Sequence, residues 1–140
     1  FHTAEHFMMA AKARLAGDEK ARDKVLSDPS PEHAKRVGRG LYLGGPGGAP
    51  LAEWDETAAE AAVKEGNLLK FAQNVRIGEY LKQTGKNILV EGSPYDKIWG
   101  CGIHYQDPRI QNTKYWDGQN KLGNILMDVR KELFPWILDS

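Results

Sequence analysis

The run TAEHFMMAAKARLAG, Thr3 to Gly17, decides the fold. Thr3 offers a hydroxyl where a helix N-terminus is capped, and Gly17 can take the left-handed backbone that closes a helix. Nothing between them breaks a helix, so residues 4–16 are expected to be helical. At about 100° per residue, Phe7, Met8, Met9, Ala11, Leu15 and Ala16 form one broad apolar face. Glu5 and Lys12 are seven apart and project the same way, between Met8 and Met9 and inside that face, whereas His6 and Arg14 point elsewhere. A carboxylate and an ammonium drawn into a dry region are costly singly and persist only as a well-bonded pair. Such a pair either braces a neighbouring loop or belongs to a reactive site. The residues alone leave both readings open.

Outward from this helix, a second is expected over residues 19–26, stopped by Asp28-Pro29. Ser30 caps a third, with Pro31 at its first position, which runs to Val37 and ends at Gly38. Residues 40–50 hold five glycines and two prolines and read as a flexible loop tacked down by Tyr42 and Leu43. A longer helix spans 56–73. Gly66 within it costs about 1 kcal/mol against alanine and marks a place where it can break. A shorter helix covers 75–82, closed by Thr84-Gly85. Ile88 to Val90 is the best strand. Residues 91–115 read as irregular, and a last helix runs from about Leu122 to Phe134 on the stripe Leu122, Ile125, Leu126, Val129 and Leu133. The expected fold is mainly α with a small β component, a compact single-domain multihelical arrangement over residues 1–140. The chain opens at Phe1 with a helix signal almost at once, so an upstream segment is expected to be missing from the sequence as given.

The 140 residues suit one domain, with 41% apolar and 27% charged residues. Net charge is zero and no basic run tracks a phosphate backbone, which argues against a large nucleic-acid footprint. Lys35, Arg36 and Arg39 form either a solvated helix face or a contact for one or two phosphates. The lone Cys101 excludes an internal disulfide framework and fits a reducing, cytoplasmic setting. No apolar run approaches the roughly 20 residues that span a bilayer, so no membrane partner is expected. The four histidines and one cysteine show no ligand spacing, and neither a metal nor a cofactor is expected.

Three further clusters carry chemistry. Asn67, Lys70 and Asn74 share a helix face that suits a sugar, a phosphate or a loop backbone. The run Glu91-Gly92-Ser93-Pro94-Tyr95-Asp96-Lys97-Ile98-Trp99-Gly100 places two carboxylates and a flat indole on a turn after the expected strand. In Trp116-Asp117-Gly118-Gln119-Asn120-Lys121-Leu122-Gly123, Asn120 is a candidate N-cap ahead of exposed backbone N–H groups. Either tryptophan can stack on a base or sit in the core.

Thr3-Ala4-Glu5-His6 running on to Met8-Met9-Ala10-Ala11-Lys12-Ala13, then Ala34-Lys35-Arg36-Val37-Gly38-Arg39, Trp54, Lys70-Phe71-Ala72-Gln73-Asn74, Glu91 to Gly100, and Trp116 to Met127-Asp128-Val129-Arg130 resemble the NADAR (YbiA-like) family in order and spacing. The resemblance implies a compact, mostly helical fold and N-glycosidase activity, a hydrolase reaction on N-glycosyl bonds. Its implied substrates are phosphoribosylaminopyrimidine intermediates of riboflavin biosynthesis or ADP-ribosylated guanine, as a small nucleotide or within ADP-ribosylated nucleic acid. Family members usually carry a strand and a Ser-Asn-Phe-like motif ahead of the Glu-His helix, which this sequence lacks, and its glycine-rich loop is longer than in compact members. On the resemblance, Glu5, Lys12 and Asp96 are the catalytic candidates. Trp99, Gly100, Lys70, Asn74, Glu91, Trp116 and Asn120 are the substrate-binding ones. Cleaving a ribosyl–nitrogen bond builds positive charge at the anomeric carbon and negative charge on the base, so the site needs an anion, a proton donor and water or a nucleophile. Lys12 either attacks the anomeric carbon and opens the sugar as a Schiff base, or stays charged and holds an oxygen. Asp96 would position water or stabilise the oxocarbenium. The alternative reading is a non-catalytic module that binds ADP-ribose or a related nucleotide.

Overall fold

The computed structural model describes residues 1, 3–43, 49–50 and 55–139. Trp54 and the middle of the glycine-rich stretch lie outside the described residues. Six α-helices are present among the described residues: α1 (Ala4–Ala16), α2 (Glu19–Ser27), α3 (Pro31–Arg39), α4 (Glu56–Gln73), α5 (Val75–Gln83) and α6 (Lys121–Leu133). Three short 3-10 turns cover Pro108–Gln111, Thr113–Tyr115 and Pro135–Asp139. The β component is one antiparallel pair, β1 (Tyr42–Leu43) with β2 (Ala49–Pro50), in which Tyr42 faces Pro50 and Leu43 faces Ala49. The mainly helical expectation holds. The chain divides into two compact units, Phe1–Gly66 and Asn67–Ser140, and α4 runs through the division.

In the first unit α1 packs against α2 and α3. Its start follows from Thr3, whose hydroxyl accepts the His6 N–H at 3.2 Å. Its end follows from Gly17 at φ 69°, which lets the Gly17 and Asp18 N–H groups reach back to the Arg14 and Ala13 carbonyls. The buried face of α1 is His6, Met9, Ala10, Ala13 and Ala16. This corrects the expected face: Leu15 is 42% exposed and His6 is fully buried. The small side chains decide it. Three alanines allow close approach to α2 and α3, so Met9 and Ala10 meet Val25 and Ala34, and Ala13 and Ala16 meet Ala21 and Leu41. Gly38 does not end α3 as expected. It lies inside the helix, and a Cβ there would overlap the Met9 sulfur. Gly66 likewise does not break α4, because it makes room for the Phe7 ring, 2.8 Å from where its Cβ would stand.

In the second unit α6 buries Ile125 and Val129, two members of the predicted stripe. Arg130 beside them is 8% exposed. Its guanidinium donates to Thr84 Oγ1 at 2.7 Å and to the Asn87 carbonyl at 2.9 Å, which ties the turn after α5 to α6. A second cluster joins Cys101, Ile103 and Ile110 with Trp116 packed on it. The expected strand Ile88–Val90 forms no ladder with another strand. Ile88 is 61% exposed, and the polar groups flanking Val90 are met by one side chain, Asn120, in place of a neighbouring strand. No described helix is long and apolar enough to cross a membrane.

Candidate active site

Glu5 and Lys12 stand about a quarter turn from the centre of the buried face of α1, on its flank. Both are half-buried. Seven residues at 1.5 Å each separate their backbones by about 10 Å along the axis. Burial raises the Glu5 carboxyl above its ordinary value; Lys35 and then His6 oppose this by favouring the anion. The larger of these opposing charges, Lys35, is on α3. Lys35 follows the fully buried Ala34, so the packing of α3 on α1 carries it toward Glu5. The sequence placed Lys35 only in a basic segment. Burial lowers the Lys12 amine below its ordinary value. The two shifts converge: the acid holds its proton longer and the base loses its proton sooner.

His6, next to Glu5, has a different role. Its Nε2 lies 2.6 Å from the Asp28 carbonyl, which can only accept, so that nitrogen carries the proton. Its Nδ1 lies 2.7 Å from Thr3 Oγ1. The ring fastens the end of α2 to the start of α1. An open cleft of about 520 Å³ runs along Phe7, Ala11, Arg14, Arg22 and Glu65, on the other flank of α1 from Glu5 and Lys12. Its charged walls, Arg14, Arg22 and Glu65, are exposed, while Phe7 and Ala11 are half-buried.

In the second unit Lys70 and Asn74 are both exposed. The Lys70 ammonium lies 5.5 Å from the Phe71 ring centre, and the Asn74 amide donates to the Lys70 carbonyl at 2.7 Å. Asn67, on the same helix, is 5% exposed. Asp96 braces its own turn: its Oδ1 accepts the N–H groups of Ile98 at 3.0 Å and Trp99 at 2.8 Å. Trp99 is half-buried on that turn. Gly100 is buried, and a Cβ there would come within 2.6 Å of the Asp96 carbonyl, so it serves as a close-packing point of the loop. The Glu91 carbonyl accepts from Ser93 and Cys101, while its side chain is exposed and borders a cleft of about 330 Å³ with Phe71, Tyr80, Leu89 and Leu122. Trp116 is part-buried against the Cys101 cluster, and its indole N–H donates to the Ile110 carbonyl at 2.9 Å.

The N–H groups ahead of α6 are not exposed, which corrects the sequence expectation. Those of Gly118, Gln119, Asn120, Lys121 and Leu122 donate to the carbonyls of Cys101, Lys97, Gly100, Ile98 and Trp99 at 2.8–3.1 Å. The 97–101 loop thus occupies the helix N-terminus where an anion would bind. Asn120 stands at the N-cap position without a side-chain cap bond, and its amide bonds the Leu89–Glu91 backbone instead. The sequence reading missed this hub, since its partners lie about 30 residues away. Among the described residues no group of three or more His, Cys, Asp and Glu is placed to hold a metal ion.

Comparison with known proteins gives a consistent result. The family model for the NADAR domain matches residues 1–134. N-glycosidase R617 of Acanthamoeba polyphaga mimivirus is 38% identical over 130 residues, covering 93% of this chain and 73% of that protein. N-glycosidase YbiA of Escherichia coli is 30% identical over 131 residues, covering 94% and 69%. The solution structure of E. coli YbiA superposes with a TM-score of 0.70 at 28% identity, covering 99% of this chain and 70% of that one.

Proposed function

The chain belongs to the NADAR domain family, and we propose that it is an N-glycosidase that hydrolyses the bond between a ribose carbon and a base nitrogen. The observation that carries this reading is the pair on one flank of α1: a half-buried carboxyl held above its ordinary range and a half-buried amine held below its own. Groups of this kind suit a transition state that places positive charge on the sugar and negative charge on the base. Relatives named as N-glycosidases support the same class of reaction. The family match runs through both units, which supports reading residues 1–140 as one domain.

In the reaction proposed, the C1′–N bond breaks, the base nitrogen takes up a proton, and water supplies the new C1′–O bond. Glu5 as carboxylate stabilises the developing oxocarbenium. Lys12, whose amine burial makes easier to deprotonate, can first displace the base and form an imine with the opened sugar, which water then releases. In the second unit Trp99 offers an indole face for a base. Asp96 shapes the turn beneath it through Oδ1. Asp96 as catalyst and Glu91, Lys70 and Asn74 as substrate contacts remain part of the proposal on the resemblance. Trp116 and Asn120, expected as substrate-binding residues, are hydrogen-bonded to the Ile110 carbonyl and to the Leu89–Glu91 backbone respectively. The substrate is a nucleotide-like N-riboside, either a phosphoribosylaminopyrimidine or an ADP-ribosylated guanine, and the setting is cytoplasmic.

The test is incubation with a phosphoribosylaminopyrimidine and with ADP-ribosylated guanosine, with released base and sugar followed by chromatography. Wild type is expected to release both from one of them, and Glu5→Gln is expected to lose turnover with no fall in its melting temperature. Saturable ADP-ribose binding with no cleavage of either compound would instead favour a non-catalytic binder.

A further inference from the structure

Asn120 joins three segments of the second unit. It is 3% exposed, and among the described residues it is the non-glycine position with left-handed backbone, at φ 51°. That conformation costs most L residues about 1–2 kcal/mol, and asparagine tolerates it best. It turns the amide between two backbone groups. Nδ2 donates to the Leu89 carbonyl at 2.9 Å, and Oδ1 accepts the Glu91 N–H at 2.9 Å. Its own N–H reaches the Gly100 carbonyl at 2.9 Å. Gly123, one turn on, must lack a side chain, because a Cβ would overlap the Leu89 carbonyl and crowd the Asn120 amide.

We infer that Asn120 is a positioning residue for the reaction: it fixes the Leu89–Glu91 backbone and the Asp96–Gly100 turn, and through them Glu91 and Trp99, without itself touching substrate. The inference rests on the N-glycosidase reading above. The chemistry suits the task. Bridging a carbonyl at 89 and an N–H at 91 requires a donor and an acceptor side by side, as a neighbouring strand would present them. A carboxylate lacks the donor and a hydroxyl lacks the span.

The experiment compares wild type with Asn120→Gly, Asn120→Asp and Ile125→Val. The readouts are kcat and KM on the cleaved N-riboside well below every melt, and hydrogen exchange of the Glu91 amide. Glycine keeps the left-handed backbone while deleting both side-chain bonds. Ile125→Val thins the same helix and leaves the bracket whole. Asn120→Gly is expected to speed exchange at Glu91 and lower kcat/KM by about tenfold or more, while Ile125→Val stays within about twofold of wild type despite a lower melt. In Asn120→Asp the new carboxyl can donate to Leu89 only when protonated, so its kcat/KM relative to wild type should rise as pH falls. Wild-type kcat/KM in a folded Asn120→Gly overturns the inference. If that variant does not fold, a pH-independent ratio for Asn120→Asp overturns it. A wild type that cleaves no N-riboside refutes the function reading and this inference with it, a result distinct from an active enzyme indifferent to Asn120→Gly.

Discussion

Replacing His6 with alanine should damage the fold and not the chemistry, although His6 adjoins the carboxyl we take as catalytic. The ring is fully buried and bonded at both nitrogens, to Thr3 Oγ1 at 2.7 Å and to the Asp28 carbonyl at 2.6 Å. Each lost bond removes about 0.5–1.5 kcal/mol, and a part-buried carbonyl left without its donor costs up to about 1–3 kcal/mol. The vacated space adds a cavity term. The total is about 3–5 kcal/mol, a large part of a typical stability of about 5–15 kcal/mol. Unfolding entropy of ~2.1 cal/mol/K per residue over 140 residues is about 0.3 kcal/mol/K, so the melt should fall by roughly 10–17 °C. Circular dichroism melts of wild type, His6→Ala and Glu5→Gln at pH 7 decide the matter, with turnover measured far below each melt. Glu5→Gln should melt no lower than wild type and turn over nothing; His6→Ala should melt well below wild type and still turn over. A His6→Ala melt within about 3 °C of wild type, together with lost turnover, would make the imidazole a reactive group and refute the reasoning.

Because burial raises the Glu5 carboxyl in the folded state, the folded protein holds that proton more tightly than the unfolded chain. Stability should therefore fall as pH rises from the ordinary carboxylate value through the raised one. The gain of Glu5→Gln over wild type should be absent in acid and full at neutral pH; a gap constant with pH would contradict it. Lys12→Arg should lose both turnover and any adduct trapped by borohydride, since guanidinium keeps the charge but is a poor nucleophile. An active Lys12→Arg with no adduct in wild type leaves direct water attack. Gly123→Ala should lower stability by about 1–3 kcal/mol despite alanine's helix preference of about 1 kcal/mol, because its Cβ meets the Leu89 carbonyl, which is backbone and cannot rotate away. A melt equal to or above wild type would show that the 89–91 segment gives way.

Helix boundaries were legible where a side chain or a glycine settles them locally. Thr3 and Gly17 bound α1, and Ser30 with Pro31 starts α3. What failed was anything set by a partner far along the chain. Gly38 reads as a helix end and Gly66 as a place where α4 can break, because glycine weakens a helix, yet each is a contact point for a side chain of α1. Ile88–Val90 has the composition of a strand, but its pairing groups meet the Asn120 amide, so no sheet forms there. The buried face of α1 was misjudged for a related reason. Apolar periodicity draws in Phe7, Met8, Ala11 and Leu15, whereas the close approach of α2 and α3 selects the alanines at 10, 13 and 16, and the same face buries a histidine whose carbonyl partner lies 22 residues on.

That error turns out to sharpen the site. On the face first expected, Glu5 and Lys12 would lie deep among apolar groups, where a charge must be neutralised or paired and substrate cannot reach. On the face observed, they lie at its edge. There the backbone of α1 is fixed by Thr3, Gly17 and the alanine contacts below, while the side chains are half in solvent. Partial burial is enough to push a carboxyl up and an amine down, and partial exposure leaves both open to a ligand. A reactive pair needs both conditions, because full burial shuts substrate out and full exposure leaves the groups with ordinary acidities. The flank of a helix anchored by small residues meets both, which is why α1 can hold a structural histidine at position 6 beside the carboxyl proposed as reactive at position 5.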